Sequence, residues 1–201
     1  MIRLGVLISG SGTNLQAIID AIASGALDAE VVLVVSSKPD AYGLKRAQEA
    51  GISTMGLIRE VYNDREAADR LIANEMQRAG AEHLVMAGYM RMVNAPLLDA
   101  FPDRVINIHP ALLPAFPGAH GIADAFAAGV KVTGVTVHFA NAVYDEGPII
   151  AQRPVEIRED DTLESLEERI HAVEHELYPQ ALQLIAQGRV SIDKDRKVRI
   201  S

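Results

Sequence analysis

The 201-residue chain contains no cysteine, which excludes disulfides, thiolate catalysis and cysteine-ligated zinc and is compatible with a cytoplasmic setting. It also lacks an apolar run long enough to span a bilayer, and no charged leader followed by an apolar stretch opens it, so neither membrane insertion nor secretion is expected. Positive charge is scarce: 19 Lys and Arg stand against 27 Asp and Glu, a formal net charge of −8. Binding a nucleic-acid backbone needs clustered Lys and Arg to release counterions, so no nucleic-acid partner is expected. Small anionic substrates remain open through a local site. Internal repeats and low-complexity linkers are absent too. With 49% hydrophobic residues the chain can bury a full core, and residues 1–201 read as a single domain.

A strand and helix alternation begins at once. Residues 3–9 read as a short buried strand, after which Leu15, Ile18, Ile19 and Ile22 follow the i, i+3, i+4, i+7 spacing of an amphipathic helix. Strands are expected over 30–36, 52–57, 83–87 and 105–109, with helices over 42–50 and 64–79. This pattern calls for an α/β fold, a Rossmann-like, doubly wound, mostly parallel sheet with helices on both faces. Residues 131–140 alternate Val132, Gly134, Thr136 and His138 against Thr133, Val135, Val137 and Phe139, a late strand with a different environment on each face. Residues 148–157 pair beside it, so the sheet is expected to become mixed in its C-terminal part. Leu163, Leu166, Ile170, Val173, Leu177 and Leu184 mark a closing helix, and 190–200 is a charged tail able to form an edge hairpin.

In open α/β sheets ligands sit outside the carboxyl ends of the strands, and three loops leaving such ends carry unusual residues. The first is Ser9-Gly10-Ser11-Gly12-Thr13-Asn14. Its glycines let backbone approach a ligand, and the helix behind it presents free N–H groups and a positive dipole end, a seat for an anion. Thr13 with Gln16 equally fits a capping box, in which case the loop only starts a helix. No Gly-Lys-Ser/Thr closes the loop, and Leu15 replaces the last glycine of Gly-x-Gly-x-x-Gly, so a phosphomonoester suits it better than a dinucleotide.

The second loop, Ala87-Gly88-Tyr89-Met90-Arg91-Met92-Val93, reads either as ordinary packing or as a wall for a flat heteroaromatic ligand. The third follows the strand in which Asn107 and His109, two residues apart, share a face with Val105 while Ile106 and Ile108 fill the other. Pro110 removes a ladder donor and ends that strand. The pair is either placed for chemistry or is a core asparagine beside a capping histidine. The turn Tyr144-Asp145-Glu146-Gly147-Pro148 would bring a carboxylate beside His109, or would merely form the turn.

Glu174 falls four residues after Ile170 and three before Leu177, on the apolar stripe of the closing helix. A carboxylate there is either solvated at the stripe edge or binds hydroxyls. His171-x-x-Glu174-His175 also matches the inverted zinc-protease spacing, although a third carboxylate ligand would have to come from elsewhere.

Together, Ser9-Gly10-Ser11-Gly12-Thr13-Asn14-Leu15-Gln16, Ala87-Gly88-Tyr89-Met90-Arg91, Asn107-Ile108-His109-Pro110-Ala111-Leu112-Leu113-Pro114, Asp145-Glu146-Gly147-Pro148 and His171-Ala172-Val173-Glu174-His175 resemble the phosphoribosylglycinamide formyltransferase family, folate-dependent enzymes of purine biosynthesis. The resemblance covers essentially the whole chain. It implies the formyltransferase fold, 10-formyltetrahydrofolate as co-substrate, 5-phosphoribosylglycinamide as acceptor, no metal, and a monomer or homodimer. It further implies that Asn107, His109 and Asp145 are catalytic and that Gly12, Thr13, Asn14 and Glu174 hold the acceptor. Arg65, Met90, Arg91, Met92, Val93 and Asn107, with Ala140, Asn141, Ala142, Val143, Tyr144 and Asp145, would hold the folate. Ala111 and Ala115 depart from the family pattern, where a serine and a basic residue are frequent, and His120 has no assigned role. A formyl-folate hydrolase, a formyltransferase acting on charged tRNA and a non-enzymatic nucleotide-binding module remain as alternatives; the acidic balance and the missing extra domain count against tRNA.

Overall fold

Strand Ile2–Ile8 (β1) is buried on both sides, with Leu4, Val6 and Ile8 in one apolar cluster and Leu7 in the other, as a strand between two helical layers must be. Ala29–Ser36 (β2) and His83–Met86 (β4) flank it in parallel; Thr54–Gly56 (β3) lies outside β2 and Val105–His109 (β5) outside β4. Val132–Phe139 (β6) runs antiparallel to β5, and Ile149–Glu156 (β7) antiparallel to β6. The result is one seven-stranded sheet of order β3-β2-β1-β4-β5-β6-β7, the mixed, doubly wound architecture expected. This computed structural model describes residues 1–58 and 63–201.

Helices Thr13–Ala23 (α1), Tyr42–Glu49 (α2), Gly121–Ala127 (α5) and Leu163–Ala186 (α6) cover one face, burying Leu15, Ile18, Leu44, Ile122, Leu166 and Ile170. Arg65–Arg78 (α3) and Ala95–Ala100 (α4) cover the other with Ile72, Met76 and Leu97. A capping box starts α6, where Thr162 and Ser165 exchange side-chain and backbone hydrogen bonds. Tyr178, fully buried on α6, reaches under the sheet with its hydroxyl 3.1 Å from the Met86 carbonyl and 3.0 Å from that of Ile106.

Several expectations are corrected. Thr13 and Gln16 form no capping box: Gly12 is the N-cap of α1 at φ 72°, without a side-chain cap bond, and the Gln16 side chain turns to Arg46 and Asp20. The third strand shrinks to three residues because it pairs only with β2 over that length. Helices α4 and α5, of six and seven residues, go beyond the sequence expectation, since fewer than two turns display too little periodicity. Both faces of β6 are buried; they differ in chemistry, Val135, Val137 and Phe139 joining the apolar core while Thr136 and His138 are hydrogen-bonded. The C-terminal hairpin, Val190–Ile192 (β8) with Val198–Ile200 (β9), is a separate two-stranded sheet and not an edge of the main one. Arg196 in its turn makes a forked ion pair with Asp103, at 2.7 and 2.9 Å.

Candidate active site

The strand order reverses between β1 and β4, and a crevice opens outside their carboxyl ends, where such a switch point places it. The cleft there has a volume of about 520 Å³. Residues 9–14, the start of the β4 loop, the end of β5 and the α6 residues His171 and Glu174 line it. Past Asn107 it continues into a narrow cavity of about 30 Å³ between Met92, Val93 and the 140–145 turn. Past Met90 it meets a further hollow of about 320 Å³ lined by Arg65, Arg91 and Met92. All residues expected on the folate side line one of these two cavities except Ala142.

At the junction stand the polar side chains of β5. Antiparallel register sets Asn107 opposite His138 and His109 opposite Thr136. His138 Nδ1 lies 3.0 Å from the Phe139 carbonyl, which can only accept, so that nitrogen carries a proton. Its Nε2 faces the Asn107 amide nitrogen at 3.1 Å and Asp145 Oδ1 at 3.6 Å. One proton of the Asn107 amide nitrogen is directed at that ring, and the other is left for a ligand. His109, buried, has Nε2 2.8 Å from the Phe116 carbonyl and Nδ1 3.4 Å from Asp145 Oδ2. Both its nitrogens thus face oxygen acceptors.

Asp145 is buried in the left-handed region at φ 57°, and its Oδ2 accepts 2.8 Å from the Gly118 N–H. Burial pushes its carboxyl up, but His138, the Gly118 bond and the charge of His109 outweigh burial and hold it below the usual carboxylate range. Gly147 permits the turn, since a Cβ there would stand 1.6 Å from the Phe139 carbonyl oxygen. Burial, then the Asp145 charge, push the neighbouring Tyr144 phenol up, so it stays a neutral hydroxyl.

On the opposite wall, Asn14 Nδ2 donates to Glu174 Oε2 at 3.2 Å, and His171 Nδ1 lies 2.9 Å from the same oxygen. Glu174 is therefore buried, not solvated at a stripe edge. That bond, burial opposing it, pushes the His171 imidazole above the ordinary histidine range. Arg46 braces the glycine loop from outside, donating Nε to the Ser11 carbonyl at 2.9 Å. Gly12 packs against Gly43: a Cβ on Gly12 would lie 2.6 Å from Gly43 Cα.

Sequence reasoning passes over His138, Lys38 and the Phe116–Gly118 segment. In the sequence His138 is only a strand position; the alternation of a polar residue on β6 opposite Asn107 is the available signal. Lys38 is the only Lys or Arg among the described residues lining the main cleft, and nothing in its local sequence relates it to the glycine loop 25 residues earlier. Ala111 is buried and contributes its carbonyl, which accepts from Thr136 Oγ1 at 2.7 Å; Ala115 is exposed. His120 is the exposed N-cap of α5 and does not line the cleft. As for the zinc spacing, His171 is engaged with Glu174, and among the described residues no cluster of three or more His, Asp or Glu is arranged to hold a metal ion.

The formyl transferase family profile matches residues 2–182. The phosphoribosylglycinamide formyltransferase of Bacillus subtilis is 41% identical over 90% of this chain and 93% of its own length. The trifunctional purine biosynthetic protein adenosine-3 of Gallus gallus is 40% identical over 98% of this chain, which spans 20% of that protein. The crystal structure of glycinamide ribonucleotide transformylase 1 from Symbiobacterium toebii superimposes with a TM-score of 0.96 at 51% identity, covering all of this chain and 94% of the other. With a family match across nine-tenths of its residues, the chain belongs to the formyl transferase family.

Proposed function

We propose that this protein transfers the formyl group of 10-formyltetrahydrofolate to the amine of 5-phosphoribosylglycinamide, giving formylglycinamide ribonucleotide in de novo purine biosynthesis. The observation that carries this reading is the position of Asn107, His109 and Asp145 where the glycine-loop cleft meets the narrow cavity beyond Asn107. An anionic acceptor entering from one side and a flat formyl donor from the other would meet at these three residues. Gly12, Thr13 and Asn14 would seat the phosphate at the N-terminus of α1, with Lys38 supplying the opposite charge. Glu174, fixed by Asn14 and His171, would accept from the ribose hydroxyls. Arg65, Arg91, Met90, Met92, Val93 and the 140–145 turn would hold the folate.

The acceptor amine attacks the formyl carbon, and the carbonyl oxygen takes up negative charge. The free proton of the Asn107 amide would donate to that oxyanion, joined by the His109 Nε2–H once it turns from the Phe116 carbonyl. Collapse breaks the bond to the folate nitrogen and forms the new amide. Asp145 would hold the His109 ring and relay the proton lost by the amine toward the departing folate nitrogen, directly or through water. The test mixes protein, 10-formyltetrahydrofolate and 5-phosphoribosylglycinamide and follows release of deformylated folate. Release that depends on the acceptor is expected; release without it would replace the transferase reading with a hydrolase.

A further inference from the structure

Asp69, in the second turn of α3, is a fully buried carboxylate that does not line the active-site cavities. Its Oδ2 accepts two hydrogen bonds from one residue, the Asn94 backbone N–H at 2.7 Å and the Asn94 side-chain amide at 2.9 Å. Asn94 is where the loop after β4 ends and α4 begins. The same loop is held at Met90, whose N–H donates to Ser9 Oγ at 2.9 Å, and Ser9 is in turn tied to Ser37 at 2.7 Å. Between these two anchors hang Arg91, Met92 and Val93, and the positive charge of Arg91 faces Asp69.

Burying a carboxylate is costly unless it is hydrogen-bonded or faces opposite charge. Here burial pushes the Asp69 carboxyl up, with Asn94 and Arg91 opposing. An apolar residue would fill this position in α3 at less cost, so packing alone does not account for an acid there. The anchor at Ser9 belongs to the acceptor side of the cleft, whereas the anchor at Asp69 touches only the folate side.

We infer that Asp69 is a positioning residue for the folate subsite: by gripping Asn94 and facing Arg91 it fixes residues 91–93 in the shape that receives the folate, and so sets folate affinity while leaving acceptor affinity alone. This rests on the formyl-transfer reading above, and the test separates the two. Calorimetric Kd values for tetrahydrofolate and for 5-phosphoribosylglycinamide are measured separately on wild type and Asp69→Asn, followed by KM and kcat for both substrates. Asp69→Asn keeps the shape but exchanges charge-assisted bonds for neutral ones, and should weaken folate binding about tenfold. Acceptor Kd and kcat at saturating folate should stay within about twofold. If Asp69→Asn does not fold, Asn94→Ala, which removes only the side-chain donor and keeps the backbone bond, decides by a smaller rise of folate Kd in the same direction. A wild type that binds neither ligand overturns the function proposed above. Normal wild-type binding with a folded variant in which folate Kd is unchanged, or in which both Kd values rise together, overturns the role of Asp69 alone.

Discussion

At Asp145 two opposed effects meet, and the balance dictates what its replacement should do. Burial favours the neutral acid, while the His138 ring, the Gly118 N–H and the His109 charge favour the carboxylate and prevail. A carboxylate held below its usual range stays ionised across neutral pH, so its own titration should not shape activity there. Asp145→Asn keeps the size and removes the charge; kcat should fall on the order of 10²-fold or more, the magnitude of a preorganised electrostatic group. Steady-state assays across neutral pH should find this loss nearly constant; a deficit that vanishes at one end of the range would deny Asp145 its role as a permanent charge. Lys38 makes a second residue-scale test. Lys38→Met should raise the acceptor KM about three- to tenfold and leave the folate KM alone, with the difference shrinking in high salt. Equal KM values in the variant and wild type would mean that the loop amides hold the phosphate unaided. Neither Lys38 nor His138 is legible in the sequence as a site residue, because each comes to the site through the pairing of strands and not through spacing along the chain. Asn107 and His109 are legible, since i and i+2 in a strand guarantee a shared face.

At the scale of elements, the glycine loop shows how one residue can have two causes. Gly12 sits at φ 72°, and its missing Cβ makes room for the backbone of Gly43 at the start of α2. Glycine is therefore required by helix packing there, whatever the ligand. Gly12→Val should cost about 2 to 5 kcal/mol, from left-handed strain and overpacking together, and a urea titration should register it before any binding assay does. Gly10 is the better probe of the phosphate seat, as a Cβ built on it meets nothing within 4 Å. Gly10→Ala should stay within about 0.5 kcal/mol of wild-type stability while raising the acceptor KM; a variant of unchanged acceptor KM would place the phosphate away from this peptide. The same contrast runs through the fold. Long elements with a sustained period, such as α6 and β2, are legible because burial on one or both faces writes the pattern into the sequence. Helices α4 and α5, too short for a pattern, are not, and nor is the packing of Gly12 on Gly43, which joins the N-termini of α1 and α2 with α1 and β2 lying between them in sequence.

Over the whole molecule, the histidines outside the junction set how stability responds to mild acid. Burial, then the Arg104 charge, push His83 below the ordinary histidine range, with Glu82 opposing; burial likewise lowers His175, opposed by Glu174 and aided by the His171 charge. A depressed histidine contributes stability that is present above its unfolded value and is lost as pH falls through its folded value. His171 has the opposite sign: raised chiefly by its bond to Glu174, it contributes fully below its unfolded value and loses that contribution as pH rises through the folded one. On acidification the His171 contribution is therefore complete by the ordinary histidine value of about 6.5, and the loss from His83 and His175 begins there. Further down, near the unfolded carboxylate value of about 4, the depressed carboxyls of Asp103 and Asp145 begin to lose their contribution, while the raised Asp69 gains. The urea midpoint should therefore fall as pH goes from about 6.5 to about 5.5. His83 is the cleanest place to test this, because its Nδ1 is buried with no hydrogen-bond partner among the described residues and it lies at the end of β4 away from the cleft. His83→Gln removes the titration and should flatten the slope in that window without altering either substrate KM. A slope unchanged by the substitution would shift the acid sensitivity onto His175 and its helix; a midpoint that rises from about pH 6.5 to about pH 5.5 would deny both depressed histidines their contribution.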